Sequence, residues 1–89
     1  MATIRSLEEF QEVVSANVSG EFDFRDANSE AGHNTMEGIS KDGSLEILYS
    51  INTGRFGVYL LGHERDIRGF GNDLEEAHQA AINVRDGNY

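Results

Sequence analysis

The chain has 89 residues, with sixteen acidic side chains against seven basic ones, a formal charge of −9, and neither cysteine nor proline. Lack of cysteine excludes a disulfide framework and a thiolate metal site. The negative field excludes direct binding to nucleic acid or to an anionic membrane, and it attracts a basic partner.

A chain of this length buries only about 60 % of the surface that its unfolded form exposes, so one domain over residues 1–89 is expected. It has no apolar run long enough for a signal peptide or a membrane span. Together with the lack of cysteine, this leads to the expectation of a cytoplasmic location. The charge is uneven: residues 1–47 hold ten acids and three bases, residues 48–89 six acids and four bases.

Ser6-Leu7-Glu8-Glu9 has the form of a capping box, in which Ser6 accepts from the N–H of Glu9. Leu7, Phe10, Val13 and Val14 then recur at helical spacing and leave Glu8, Glu9 and Glu12 toward solvent, which predicts a helix over about 7–17 with Ser19-Gly20 as its stop. Glu21 to Arg25 alternates with period two, placing Phe22 and Phe24 on one face of a half-buried strand.

Residues 26–34 read as a polar loop. Thr35 to Ser40 forms a second strand that Gly38 interrupts, and Lys41-Asp42-Gly43 forms a tight turn. The strongest strand signals are Leu45–Ile51 and Arg55–Leu61, joined through Asn52-Thr53-Gly54 and expected at the sheet centre. Leu45, Ile47, Tyr49 and Ile51 share one face of the first, and Phe56, Val58 and Leu60 one face of the second. The opposite face carries Leu48, Tyr59 and Leu61, so something covers it or a partner contacts it.

After a turn at 62–65, Asp66 to Phe70 is a short strand. Asn72 and Asp73 are N-cap candidates for a closing helix through Leu74, Ala77, Ala81 and Ile82 that ends near Arg85, with Gly87 just beyond. The order α-β-β-β-β-β-α, with hairpins rather than alternating strands and helices, predicts an α+β domain. Its antiparallel sheet has four to five strands, with both helices on one face.

No constellation carries catalysis. His33, His63 and His78 lack the short pair spacing of a zinc site. Asp26, Asn28, Glu30 and Glu37 match the first, third, fifth and twelfth positions of a calcium loop, but Ala31 stands where that loop requires glycine, so a polar loop is the better reading. Gly69-Phe70-Gly71 lacks the third glycine of a nucleotide-binding turn and is followed by Asp73, Glu75 and Glu76, which repel phosphate. Ser40 near His33 and Asp42 has no strand-turn-helix elbow around it. A protein that is not an enzyme and uses no cofactor or metal is expected.

The acids suggest another role. Glu21 and Asp23 stand about 6.7 Å apart along a strand, against about 3.4 Å per nucleotide for phosphates of one DNA strand. One strand is too sparse to imitate a duplex. If Glu8, Glu12, Asp26, Glu30 and Glu37 lie beside Glu21 and Asp23, a phosphate-like field results that draws a nucleic-acid-binding protein.

In profile, being short, cysteine-free, acidic and α+β, the whole chain resembles the small phage-encoded inhibitors of bacterial defence systems, especially anti-CRISPR proteins. Many of these block the nucleic-acid site of an effector complex. They share no motif, so the resemblance assigns no residue. Residues 67–85, with Asn72-Asp73-Leu74-Glu75-Glu76-Ala77 after a glycine-rich strand end, are similar to the strand-to-helix junction of HicB-type antitoxins, without their proline and cysteine pattern.

The function expected is that of a non-enzymatic inhibitor whose acids Glu8, Glu12, Glu21, Asp23, Asp26, Glu30 and Glu37 occupy a basic, nucleic-acid-binding surface of a protein partner. The alternative is a structural or oligomeric adaptor, antitoxin-like, with Leu48, Tyr59 and Leu61 as candidates for the oligomer contact. The state expected is monomer or homodimer.

Overall fold

The computed structural model describes Ile4 and residues 6–26, 35–62 and 67–87. Helix α1 (Leu7–Asn17) leads into strands β1 (Phe22–Asp26), β2 (Thr35–Ser40), β3 (Leu45–Ser50), β4 (Arg55–Leu60) and β5 (Ile67–Gly71), and helix α2 (Leu74–Asp86) closes the chain. The strands form one antiparallel sheet in sequence order, β1-β2-β3-β4-β5. The expected α+β architecture is present with five strands, and β3 is the central one.

Both helix starts follow from their caps. Ser6 Oγ accepts from Glu9 N at 3.2 Å and Asp73 Oδ1 from Glu76 N at 2.8 Å, each satisfying an N–H that the first turn leaves without a helical partner. Asp73, rather than Asn72, is therefore the cap of α2. Gly87 ends α2 in the left-handed region, at φ 77°.

Register assigns every strand residue to one of two faces. Phe24 pairs with Gly38, Gly38 with Ile47, Ile47 with Val58 and Val58 with Gly69, and this face carries the core. Phe10, Val14, Met36, Ile47, Val58 and Leu74 are its largest fully buried side chains. The Phe10 ring lies edge-on to Phe24 at 5.8 Å and stacks with Phe56 at 6.5 Å. Gly38 leaves room for this: a Cβ there would lie 2.8 Å from the Phe24 ring. The residue that breaks the β2 pattern in sequence is thus a floor for two aromatics.

The helices share that face. α1 lies against β1 and β2, and α2 against β5 and β4. Ile4, Val13, Asn17 and Phe56 line a pocket together with Asp73, Leu74 and Glu75 between the helices. Among the described residues, no helix lies on the other face of the sheet.

Candidate protein-binding surface

Of the seven acids expected to bind a partner, the structure gathers some and removes one. Glu8 and Glu12 are exposed on α1. Phe10 and Val14 are the buried residues of α1, and Glu8 and Glu12 lie about half a turn round from Phe10 at 3.6 residues per turn, so both point away from the sheet into solvent. Glu21 immediately precedes β1, exposed, with its carboxylate 3.8 Å from Lys41 Nζ. Its carbonyl accepts from Lys41 N, so the β1–β2 ladder runs one residue beyond the strand. Asp23 and Asp26 are exposed on β1 itself. Glu30 lies outside the described residues.

Glu37 does not join this surface. It is only 7 % exposed, on the helix-free face beside Arg25, its register partner on β1. Arg25 Nε lies 2.7 Å from Glu37 Oε1, an ion contact in which the N–H is not aimed along a hydrogen bond, leaving Oε1 without one. Period two predicts the face of Glu37 but not its burial, because burial depends on the flanking strands.

The exposed acids therefore do not form a flat array on one face. Glu8 and Glu12 stand on the helix layer, Asp23 on the helix-free face, and Glu21 and Asp26 at the two ends of β1. They run from the outer side of α1, which lies against β1 and β2, round the β1 edge to the helix-free face, as a convex ridge. A ridge presents its charges to a groove, whereas a flat basic surface reaches only part of it.

Sequence reasoning did not foresee the carboxylate pair beside Arg25. Glu46, half-buried on β3, shares the helix-free face with Glu37. Burial raises the Glu46 carboxyl above its ordinary value, the Glu37 charge raises it further, and Arg25 opposes both. The signal was present in the alternation of both strands, but the two residues become neighbours only through register.

Leu48 and Tyr59 lie on the helix-free face as expected, half-buried, and Leu61 follows β4 on the same side. Phe70 joins them, at 49 % exposure the one large hydrophobic that is exposed among the described residues. Its ring meets Tyr59 edge-on at 6.0 Å, over Gly57, where a Cβ would come within 3.2 Å of the Phe70 ring. Leu48, Gly57, Tyr59 and Phe70 line a shallow groove of about 340 Å³, bordered by Thr35, Ser50, Thr53 and Arg55.

The features weighed for chemistry have structural roles where they are described. Ser40 Oγ donates to Asp42 Oδ1 at 2.8 Å and accepts from the N–H groups of Ser44 and Leu45, which locks the β2–β3 turn. Bonds from Ser44 and then Ser40 hold the Asp42 carboxyl below its ordinary value. His33 and His63 lie outside the described residues. Among the described residues no group of three or more His, Asp or Glu is placed to hold a metal ion, and no helix is long and apolar enough to cross a membrane.

Gly69 and Gly71 serve helix packing. Both lie so close under α2 that a Cβ on either would collide with it. The class that these features define is an α+β domain with a helix-covered sheet, an acidic edge at β1 and an apolar groove on its bare face. Compared with known proteins, the chain matches no family model, no curated protein and no solved structure.

Proposed function

We propose that this domain is a non-enzymatic inhibitor, of the anti-CRISPR kind or a similar anti-defence protein, that occupies a basic, nucleic-acid-binding groove on a protein partner. The observation that supports this reading is the ridge of exposed carboxylates, Glu8, Glu12, Glu21, Asp23 and Asp26, wrapped around the β1 edge. Among the described residues the two cations beside it are engaged, Lys41 with Glu21 and Arg25 with Glu37, and the five ridge acids outnumber them. Glu37 serves as an internal partner for Arg25 in this reading.

Contacts of this type depend on long-range charge, so affinity falls as salt rises, and reversal of ridge acids weakens binding stepwise. The test is competition: a nucleic-acid-binding effector is titrated with this protein in the presence of its labelled nucleic acid. Displacement that is lost in the combined Glu8→Lys, Glu12→Lys and Asp23→Lys variant is the expected result. Displacement indifferent to those changes and to salt overturns the reading.

A further inference from the structure

We infer that the chain pairs with a second copy of itself through the outer edge of β5, joining two sheets across a two-fold axis at Phe70. Among the described residues, β5 is the last strand of the sheet, with β4 on one side only. The direction of its backbone groups follows from the ladder. Leu61 N donates to Ser44 O at 2.9 Å, so odd-numbered residues of β4 bond toward β3, and Phe56, Val58 and Leu60 bond toward β5. Alternation in an antiparallel ladder then turns Ile67, Gly69 and Gly71 toward β4 and aims the N–H and C=O of Phe70 outward.

Three features make a second copy the occupant of this edge. First, the two-fold sets Phe70 opposite Phe70 of the other copy, as a pair that exchanges both backbone hydrogen bonds. The half-exposed ring then gains an aromatic cross-strand neighbour, a favoured pairing. The apolar groove that ends at Phe70 in one copy continues into that of the next.

Second, charge distinguishes the two sheet edges. β1 carries Asp23, Arg25 and Asp26, and charged edges resist pairing, whereas Arg68 is the one charged residue of β5. For a chain of charge −9, this is the edge strand whose own side chains repel a like-charged copy least.

Third, the helix layer permits it. Strands pair at about 4.8 Å and helices pack at about 8 to 10 Å, so each α2 axis has to stand back from β5, on the side away from the new seam, by on the order of 2 Å. α2 lies chiefly against β5 and also against β4, so part of its width is on the side away from the seam. Gly69 and Gly71, with Cα atoms tucked under α2, add no side chain to the seam.

The inference is independent of the acidic ridge, and salt separates the two. Screening relieves repulsion between like-charged copies, so self-association strengthens with salt, while binding to a basic partner weakens. Sedimentation of the protein over a range of concentrations, at low and high salt, is the first measurement. A monomer–dimer equilibrium that shifts toward dimer at high salt is expected. Phe70→Lys, at an exposed position, sets like charges across the axis and weakens the dimer by about tenfold or more, whereas Asp23→Lys on the opposite edge leaves it in place.

Amide hydrogen exchange on the unaltered protein gives a second readout that does not depend on the variant folding. The Phe70 N–H slows as concentration rises, and the N–H groups of Phe22 and Phe24 on the β1 edge do not. A protein that stays monomeric at every concentration overturns the inference. So does a dimer with unchanged Phe70 exchange.

Discussion

Gly69 lies directly beneath the backbone of Ala81, with the Ala77 carbonyl beside it, and the space between holds no methyl group. The helix backbone cannot move aside as a flexible side chain can, so α2 would have to lift from β5 to admit one. Gly69→Ala is expected to destabilise the fold by about 3 kcal/mol or more, at the upper end of overpacking costs. Gly57→Ala meets only the rings of Phe70 and Tyr59, one of which is half-exposed, and costs about 1 kcal/mol or less. Urea unfolding of both variants checks the order.

Truncation of Arg25 leaves the buried Glu37 carboxylate without its cation. A bare buried charge is costly, but the Arg25 side chain is 72 % exposed, so water replaces much of what it supplied. Arg25→Ala is expected to cost about 1 kcal/mol, the low end for a lost partner of a buried polar group. Glu37→Gln removes the charge that needs the partner, and Arg25→Ala in that background is expected to cost less than half as much. A double-mutant cycle by urea denaturation measures the coupling.

Glu46 makes stability depend on pH. Its folded-state value is raised above 4.5, chiefly by burial, so between 4.5 and the raised value the folded protein holds more protons than the unfolded chain. Stability therefore falls as pH rises through that window, and the full cost is present above it. Glu46→Gln does not titrate. Its melting temperature relative to the unaltered protein is expected to be higher at pH 7 than at pH 3.5, and thermal melts at the two pH values test this.

Asp73 caps α2 through one bond to Glu76 N. Asp73→Ala is expected to cost about 1 kcal/mol and Asp73→Asn much less, since the amide oxygen accepts the same bond. Because α2 holds β5 in place, exchange of β5 amides should rise along with that of the first turn of α2 in the alanine variant, which hydrogen exchange resolves.

The elements and their order were legible in the chain, because period and cap chemistry are local. Ser6, the Phe22–Phe24 alternation, the Lys41-Asp42-Gly43 turn and the Leu45–Ser50 and Arg55–Leu60 strands each depend on neighbours a few residues away. The faces of Leu48 and Tyr59 followed from the same alternation.

What only the tertiary structure decided is which residues meet across the sheet. Register buried Glu37 beside Arg25, brought Glu46 near it, and spread the acids around an edge instead of over a face. Helix placement turned Gly69 and Gly71 from a faint phosphate motif into a packing surface, and the end of the strand order left Phe70 exposed at a boundary. Each of these depends on contacts between residues distant in sequence, where a side chain's type says little about its neighbour. A period of two assigns a residue to a face, but the neighbours on that face are set by strand pairing.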